Sequence, residues 1–355
     1  MKAFLTGATG YIGQRLALRL AEDGHQVRAL IRSPEKAQLI QHPNISLVKG
    51  TLSDGQALEA GTAGCDVIFH LAAFARVWAP DPAVYTEINV EGTERVLQAA
   101  LQNKVKRVVV TSTAGVFGPS DGVPVKEADE RSVPFFNEYE ETKRASEILC
   151  EEYARKGLEV VVVNPSRVYG PGIGSESNPV TRMINLYVNG SWRWIPGDGK
   201  GKGNYVLVDD VVKGHLLAWE KGRPGERYLL GGENASYNAF FQKLQQVSGV
   251  KKSLVHVPVG VLLFMSNLMM AWTKLTGKAP LITPKWVRKY LYHWELSSQK
   301  ATNELGYSFT PLHEGIAQTL EWLNQNEKRT ILYPDHGGKL GNRQGAGPEV
   351  RVPGV

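Results

Sequence analysis

The sequence predicts an α/β fold in which a doubly wound parallel sheet is covered by helices on both faces. Two patterns indicate it: short β-branched runs alternate with amphipathic segments of helix length, and a glycine-rich turn follows the first run. The 355 residues are 42% hydrophobic and 21% charged. This composition is ordinary for a globular protein, so a wholly disordered chain is excluded.

The first 165 residues carry the regular part of the alternation. A strand is predicted at 2–6 and a helix at 12–22, where Ile12, Leu16 and Leu20 repeat at helical spacing. Further strands are predicted at 26–31, 45–49, 66–71, 107–111 and 159–164, and two long helices at 84–103 and 136–156. Strands this apolar are typical of a parallel sheet that is buried on both faces.

Charge and cysteine content narrow the class of protein. The net charge is +6, but the basic residues are scattered among acidic ones with no run of four or more, so no nucleic-acid partner is expected. Cys65 and Cys150 are too few for a disulfide scaffold or a multi-cysteine zinc site and are interpreted as reduced thiols. Because the sequence also opens directly with a strand, we expect a cytoplasmic protein. We also expect no bound metal.

The most apolar stretch is 258–272, which reads PVGVLLFMSNLMMAW. It is about one turn shorter than the ~20 residues that a membrane-spanning helix needs, and Ser266 and Asn267 interrupt it. We predict a buried helix or one that covers the substrate. A helix in a membrane interface, and hence a peripheral membrane contact, is the alternative.

The turn GATGYIG places Gly7, Gly10 and Gly13 between a predicted strand and a predicted helix, which is the context of a dinucleotide-binding fingerprint. The first glycine permits the tight turn, the second lets the backbone approach a pyrophosphate, and the third allows close packing of helix on strand. The positive end of the helix dipole then faces the phosphates. The neighbouring residues assigned to the same cofactor site are Thr9, Tyr11 and Ile12.

This fingerprint makes residues 1–178 a dinucleotide-binding Rossmann domain. After Pro165 the alternation loosens, and two more strands at 205–208 and 226–230 flank a helix at 209–220, so that 204–232 returns to the first domain. Segments 179–203 and 233–328 are predicted to form a smaller, mostly helical, substrate-binding lobe. Residues 336–355 contain six glycines and no apolar periodicity, which predicts a disordered tail.

The end of the second predicted strand bears on the choice of nicotinamide cofactor. An NAD site places Asp or Glu there to accept the ribose 2′-hydroxyl, whereas this chain reads VRALIRSPEK, with Arg32 at the tip and Lys36 a turn beyond. A guanidinium suits a 2′-phosphate. NADP is therefore favoured over NAD, with a solvated basic loop as the alternative interpretation.

Three residues form a candidate proton-transfer site. Tyr139 and Lys143 lie four apart in a predicted helix and so share a face, where the ammonium would lower the phenol pKa from its usual value of about 10. Thr113 follows the strand at 107–111, at the carboxyl edge where such sheets bind ligands. The alternatives are an ordinary surface pair and a turn at the end of the strand.

Six segments resemble the extended short-chain dehydrogenase/reductase superfamily in order and spacing, over about residues 1–328: GATGYIG, FHLAA, NVEGT, TSTAG, YEETK and NPSRVYGPG. The resemblance implies that Thr113 is the active hydroxyl, Tyr139 the proton donor and Lys143 the accompanying lysine. It also implies that Asp54 lies near the adenine. Tyr139 and Lys143 are assigned to the cofactor site as well, where the lysine can hold the ribose hydroxyls. The remaining residues assigned to that site, most of them beside the nicotinamide, are Leu71, Ala72, Ala73, Thr111, Pro165 and Val168.

Within that superfamily the chain is most similar to the dihydroflavonol-4-reductase-like branch, and particularly to plant-type farnesol dehydrogenases. The similar segments are AAFARVWAPDP, FFNEYEETK, VDDVVKGHLLAWEKGRPGERYLLGGENAS and TGKAPLITP. The branch implies hydride transfer to or from a hydrophobic substrate, although the farnesol enzymes are NAD-linked, which disagrees with the interpretation of Arg32. The residues predicted to face the substrate are Phe74, Trp78, Val116, Phe117, Phe136 and Tyr169. Packing in the core is the alternative for each of them taken singly.

The same residues bear on three other functions. Sugar-nucleotide dehydratases follow the active threonine with an Asp-Glu pair, and this chain has Ala114 and Gly115 instead. A sugar-nucleotide epimerase uses the same three residues and stays open, although its usual cofactor is NAD. A non-catalytic dinucleotide sensor would have no need of a proton-transfer pair. The resemblance also implies a homodimer through the two long helices.

Overall fold

The computed structural model describes residues 1–172 and 178–326, and it confirms the doubly wound α/β fold. Its strands are β1 (Lys2–Thr6), β2 (Gln26–Ile31), β3 (Ile45–Lys49), β4 (Val67–His70), β5 (Arg107–Thr111), β6 (Glu159–Pro165), β7 (Arg167–Tyr169), β8 (Trp194–Pro196), β9 (Lys202–Leu207), β10 (Arg227–Leu230), β11 (Glu233–Ser236) and β12 (Val255–Val257). Seven of them form one parallel sheet in the order β10-β6-β5-β4-β1-β2-β3. The tail predicted at 336–355 lies outside the described residues.

The helices alternate with these strands as predicted. They are α1 (Tyr11–Glu22), α2 (Gly55–Thr62), α3 (Ala83–Thr86), α4 (Gly92–Gln102), α5 (Glu138–Arg155), α6 (Pro179–Val188), α7 (Val208–Lys221), α8 (Tyr237–Ser248), α9 (Val259–Thr276), α10 (Pro284–Arg288), α11 (Gln299–Leu305) and α12 (Leu312–Gln325). The single helix predicted at 84–103 is α3 and α4 joined by a π-helical turn, Glu87–Glu91. Short 3₁₀ turns occupy Pro34–Ile40, Ala114–Phe117 and Lys289–Leu291.

The core lies in two layers, one on each face of the sheet. On one face, apolar residues of α1 and α7 such as Leu16, Leu20 and Val211 pack against the strands and are fully buried. On the other face, Leu97 of α4 and Tyr153 of α5 cover the same strands. Burial on both faces explains why the central strands β4, β5 and β6 are continuous Val- and Ile-rich runs with no polar alternation.

The second lobe is built around a separate cluster, in which α6, α8 and α12 bury residues such as Ile184, Phe240 and Ile316. The segment 204–232 is divided between the two parts of the molecule. Strand β10 pairs with β6 at the edge of the main sheet. Strand β9 instead pairs with β7 and β11 in a three-stranded sheet of its own, so it does not return to the main sheet.

Helix α9 contradicts the prediction of a buried helix. It has 18 residues with a mean hydropathy of 1.3, which is long and apolar enough for a membrane span by length and composition alone, yet only 11% of it is buried. Its buried residues are the polar Ser266 and Thr273, while Phe264 and Trp272 are exposed. Apolar composition predicted burial, but the packing surface of the lobe lies on the other side of the helix.

Candidate active site

The glycine turn closes tightly on the loop that follows β4. Gly7 has a φ of +73°, and a Cβ there would lie 2.6 Å from the backbone nitrogen of Ala72. A Cβ at Gly13 would lie 2.1 Å from the Gly7 carbonyl oxygen. Only glycine fits at these two positions. Helix α1 then begins at Tyr11 with no side-chain cap and no acidic residue in its first turn, so its N-terminal amides face the turn unneutralised.

Buried hydrogen bonds fix the loop at 71–74. The Ala72 amide donates to the hydroxyl of Thr6 over 3.2 Å, and the Phe74 amide donates to the side-chain oxygen of Asn89 over 2.7 Å. The Asn89 side-chain nitrogen donates to the hydroxyl of Thr142 on α5 over 3.1 Å. Asn89 is completely buried within the π-helical turn. It therefore ties the loop predicted to border the nicotinamide to the helix that carries Tyr139.

The three candidate catalytic residues come together at the carboxyl edge of the sheet. Thr113 follows β5, and its hydroxyl accepts the Gly115 amide over 3.1 Å. Tyr139 lies in the first turn of α5, where its phenol interacts with the Thr113 hydroxyl. Lys143 lies one turn further along and is 1% exposed. Its Nζ is buried without a hydrogen-bond partner among the described residues.

The ionisation of this site differs from the sequence-based expectation. Burial raises the pKa of the Tyr139 phenol to about 12, the Glu140 carboxylate adds to the rise, and the Thr113 hydroxyl opposes it. Lys143 is not among the groups that shift the tyrosine, and burial lowers the pKa of its own ammonium. The expected lowering of the phenol pKa by lysine is therefore corrected: desolvation is the larger effect. Tyr139 is a protonated phenol at neutral pH.

A second network holds Thr113 and α5 together. The side-chain nitrogen of Asn164, at the end of β6, donates to the Thr113 carbonyl over 3.1 Å and to the Glu147 carboxylate over 2.6 Å. Glu147 is 1% exposed and also pairs with Arg144 and Arg227. A fully paired buried carboxylate of this kind restrains the elements that it joins.

Glu140, the neighbour of Tyr139, joins α5 to the second lobe. One carboxylate oxygen accepts from Arg131 over 2.9 Å, and the other pairs with Lys289. Arg131 also donates to the Gly115 carbonyl, two residues after Thr113. No sequence pattern predicted a role for Asn89, Glu140 or Lys289, because the residues around a polar side chain do not indicate which distant residues it will contact.

The remaining predicted cofactor residues differ in how exposed they are. Arg32 and Lys36 are exposed just beyond the end of β2, and in the glycine turn Gly10 is exposed and Thr9 is half-buried. Asp54 caps α2 by accepting the Ala57 amide over 3.0 Å. The others are the exposed Ala73, the buried Pro165, and three residues that are partly buried against the core: Ile12, Leu71 and Val168.

Two predicted cofactor residues have side chains that are already engaged within the protein. The Tyr11 phenol is buried and donates to the Gly170 carbonyl over 2.8 Å. The Thr111 hydroxyl lies 2.8 Å from Nε2 of His215 on α7. Neither side chain is directed toward a ligand by these contacts, so a cofactor would meet the backbone at these positions.

The six residues predicted to face the substrate separate into two groups. Phe74, Trp78 and Phe136 are half-buried near the loop at 71–74 and the start of α5. Val116 and Phe117 are instead buried in a small cluster with Leu229 and Leu296. Tyr169 is completely buried, and its hydroxyl lies 3.4 Å from the carbonyl of Leu312. These three are corrected to core residues, because an apolar side chain after a strand packs inward as readily as toward a ligand.

Arg167 is a charged residue on the side of the second lobe. Its guanidinium donates to the hydroxyls of Tyr237 and Tyr205 over 3.2 and 3.4 Å, and it lies 5.6 Å from the centre of each ring. Among the described residues its partners are tyrosines rather than a carboxylate, so its positive charge is not neutralised locally.

These features fit a nicotinamide dinucleotide. Gly7 and Gly13 let the turn close tightly on the loop at 71–74 and on itself, as the dinucleotide fingerprint requires, and the Nζ of Lys143, which has no partner among the described residues, is a donor available for ribose hydroxyls. Residues 3–231 match the model of the NAD dependent epimerase/dehydratase family. The chain belongs to that family, within the extended short-chain dehydrogenase/reductase superfamily, and is an oxidoreductase of that class.

Two relatives and one solved structure show in more detail which proteins the chain is similar to. The chain is 34% identical to the 4-hydroxy-2-methyl-3-oxo-4-farnesyl-3,4-dihydroquinoline-1-oxide ketoreductase of Stigmatella aurantiaca, over 92% of this chain and 96% of that protein. It is 30% identical to a Synechocystis sp. protein provisionally named dihydroflavonol 4-reductase, over 91% of this chain and 94% of that protein. Its fold matches UDP-glucose 4-epimerase from Thermotoga maritima, solved with UDP-glucose, with a TM-score of 0.76 and 26% identity over 92% of this chain and 100% of that one.

Proposed function

We propose that this protein reduces a carbonyl group of a hydrophobic substrate to an alcohol, with NADPH as the reductant. The observation that carries the proposal is the Tyr139 phenol next to the Thr113 hydroxyl, one helical turn from the Nζ of Lys143, which is buried without a partner among the described residues. A proton donor, a second hydroxyl and a free ammonium beside a dinucleotide cradle are what carbonyl reduction requires. Two of the similar proteins are reductases by name.

Tyr139, Thr113 and Lys143 each have a separate role in the proposed reaction. The turn at Gly7, Gly10 and Gly13 would hold a dinucleotide, which would supply the hydride for the carbonyl carbon. Tyr139 donates its phenolic proton to the carbonyl oxygen, so the substrate gains one hydride and one proton and becomes an alcohol. Thr113 donates a hydrogen bond to the same oxygen, and Lys143 donates to the ribose hydroxyls. Proton donation by a positioned side chain contributes about 10²–10⁴-fold to the rate of such steps.

The raised pKa of Tyr139 bears on the form in which the phenol enters the reaction. At neutral pH the phenol carries its proton, so it can act as an acid in reduction. Oxidation of an alcohol reverses the same step with the same residues.

The preference for NADPH rests on Arg32 and Lys36. Both are exposed beyond the end of β2, on the strand next to β1 and its glycine turn. A guanidinium at that position can pair with the 2′-phosphate through two parallel hydrogen bonds. The family description names NAD, so the two cofactors must be compared directly.

A hydrophobic substrate is supported by the half-buried aromatic residues near Tyr139, which are Phe74, Trp78 and Phe136. The Stigmatella aurantiaca relative is named for a substrate that carries a farnesyl group. Apolar walls with a few polar groups at one end bind such molecules.

The test is nicotinamide absorbance with purified protein, with NADPH and NADH supplied separately against dihydroflavonols, farnesal, steroid ketones and simple aryl ketones. Stoichiometric consumption of NADPH with one of these carbonyl compounds is the expected result. Consumption of NADH alone would remove the argument from Arg32. Absence of consumption with every carbonyl would overturn the proposal.

A second candidate function is epimerisation of a sugar nucleotide. It is favoured by the match to UDP-glucose 4-epimerase and by Arg167, whose guanidinium is suited to a phosphate on the side of the second lobe. Incubation with UDP-glucose and UDP-glucuronic acid, followed by chromatography of the products, distinguishes the two functions, since an epimerase consumes no external reductant.

A further inference from the structure

The surface of the second lobe around α9 is unlike the rest of the molecule. Ten of the fifteen large hydrophobic side chains that are exposed in the described part of the chain lie between residues 255 and 292. Along α9 itself they form one stripe at helical spacing, and these residues are Val261, Phe264, Met265, Leu268, Trp272 and Leu275. Scattered exposed apolar residues are normal, but a continuous apolar stripe marks an interaction surface.

Helix α9 is apolar on both of its faces. The face toward the lobe carries the half-buried Leu263 and Met270 beside the buried Ser266 and Thr273, whose hydroxyls donate to carbonyls of their own helix over 2.8 and 2.9 Å. The face toward solvent carries Phe264, Leu268 and Trp272, which are 66%, 56% and 61% exposed. An ordinary surface helix would be polar on that face. The apolar stripe therefore serves something outside the lobe.

The charge of the same region indicates what that partner is. Residues 251–294 contain seven Lys and Arg and no Asp or Glu, against a net charge of +6 for the whole chain, so the rest of the protein is close to neutral. Lys285 and Lys289 pair with Glu138 and Glu140. The other five cations flank the two ends of α9 and the start of the 3₁₀ turn: Lys251, Lys252, Lys274, Lys278 and Arg288.

We propose that α9 and its flanking cations dock this protein on the surface of an anionic lipid bilayer. The apolar stripe enters the boundary between headgroups and acyl chains, and the lysines at the two ends of the helix meet the anionic headgroups. A second copy of this chain is disfavoured as the partner, because a symmetric dimer would bring two surfaces of the same positive charge together.

The fold requires the helix to lie along the membrane rather than across it. An 18-residue helix is about 27 Å long, close to the ~30 Å hydrocarbon core. Its preceding strand β12 pairs with β8, however, and α10 packs against α9 after a connection of seven residues. A crossing would force that connection back through hydrocarbon with its backbone groups unpaired.

This placement brings the membrane next to the catalytic helix. Lys285 of α10 pairs with Glu138, and Phe136 packs edge to face on Tyr292, with ring centres 5.2 Å apart. Both partners adjoin Tyr139. If the proposed reduction of a hydrophobic substrate holds, on which this step rests, a bilayer-dissolved substrate would reach the site from the docked side.

The test is flotation of the full-length protein with vesicles, in the absence of cofactor and substrate. We expect it to float with vesicles of phosphatidylcholine and phosphatidylglycerol, to remain unbound with phosphatidylcholine alone, and to be released by salt. The double variant Phe264→Asp/Leu268→Asp should lower the partition coefficient by roughly tenfold or more, and Lys274→Gln by roughly fivefold. Val123→Asp, which places the same carboxylate at an exposed apolar position outside the lobe, is the matched control.

Three outcomes overturn the docking proposal. The first is wild-type protein that stays with the unbound fraction on anionic vesicles. The second is an equal loss of binding in the Val123→Asp control. The third is a dimer in light scattering that the Phe264→Asp/Leu268→Asp variant dissociates, which would assign the stripe to a second copy. Because no reaction is measured, a failure here is separate from a failure of the proposed reductase activity.

Discussion

Glu140 on the catalytic helix and Lys289 in the second lobe form an ion pair between residues 149 apart in the chain. Their side chains are 1% and 14% exposed. The other oxygen of the same carboxylate holds Arg131 at 2.9 Å, and Arg131 reaches the loop that carries Thr113. One buried carboxylate therefore joins the first turn of α5, the active hydroxyl loop and the lobe.

This pair should make a large and non-additive contribution to stability. Glu140→Gln leaves Arg131 and Lys289 buried without their anion, and we expect it to lower the free energy of unfolding by about 3 kcal/mol. The double variant Glu140→Gln/Lys289→Met should lose less than the sum of the two single changes. Urea denaturation measures all three. Lys285→Met, which breaks the half-exposed pair with Glu138, is the control and should cost less than about 1 kcal/mol.

Tyr139→Phe should lower turnover by about 10²–10⁴-fold, because it removes the proton donor. Affinity for NADPH, measured by fluorescence titration, should stay within about twofold of wild type, since the phenol oxygen serves the substrate. In the free enzyme the pKa of Tyr139 is about 12, so the alkaline decline of kcat/KM for reduction should begin above pH 10. A variant that retains the wild-type rate would remove Tyr139 from the mechanism.

Lys143→Met should raise the stability of the free protein and lower its affinity for the dinucleotide. The Lys143 Nζ is buried without a partner in the described structure, and an unsatisfied buried group costs about 1–3 kcal/mol. Replacing it with an apolar side chain of similar length should raise the melting temperature of the free protein, while affinity for the dinucleotide falls. Lower stability with unchanged dinucleotide affinity would show that the ammonium serves the fold.

Arg32→Ala should reduce affinity for NADPH by roughly 10–100-fold, because a charge-assisted hydrogen bond contributes about 1.5–3 kcal/mol. Affinity for NADH should change little. The comparison of the two dissociation constants is the measurement, with Lys36→Ala as a second variant of smaller expected effect. An equal loss for both cofactors would mean that Arg32 does not recognise the 2′-phosphate.

Acid should destabilise the protein through two buried histidines. Burial lowers the pKa of His215 to about 4 and that of His70 to about 3, against 6.5 for an ordinary histidine. Between these pKa values and 6.5, the unfolded chain therefore binds protons that the folded chain does not bind. Stability is fully present above pH 6.5 and is lost as the pH falls toward 4, by ~1.4 kcal/mol per pH unit for each histidine.

Urea denaturation at several pH values tests this dependence. His215→Gln should reduce the slope of the free energy of unfolding between pH 6.5 and 4 by up to ~1.4 kcal/mol per pH unit, which is the contribution of one proton. The variant also loses part of the hydrogen bonding of the ring with Thr111 and the Val211 carbonyl, so its stability at neutral pH is compared separately. An unchanged slope would assign the acid sensitivity to other groups.

Local pattern was sufficient to predict the main sheet. Strands β1, β2, β3 and β5 begin and end where their apolar and β-branched content places them. Three of them are largely buried, whereas β3 is a partly exposed edge strand. The π-helical turn Glu87–Glu91 was missed, since one extra residue in a turn hardly changes a helical periodicity. Its only signal is Asn89, a polar residue on what would be a buried face.

The errors share a physical cause. Val116, Phe117 and the stripe of α9 were judged by how apolar they are, and apolar character does not say which surface a side chain meets. Val116, Phe117 and Tyr169, which were expected at the substrate, are buried in the core, and the helix that was expected to be buried or to cover the substrate has an exposed apolar face. The pKa of Tyr139 was expected to fall because of Lys143, whereas desolvation raises it. Desolvation depends on the folded surroundings and not on local spacing.

The separation between Glu140 and Lys289 has a consequence for biosynthesis. The strands up to β6 and the glycine turn are complete in sequence by residue 165, so a growing chain can assemble most of the main sheet early. Glu140 has Arg131 as a partner from the start, but its second cation, Lys289, follows only after 149 further residues have been added. The nascent protein thus forms its coenzyme cradle first, and the proton donor is locked in place only after this part of the second lobe has been made.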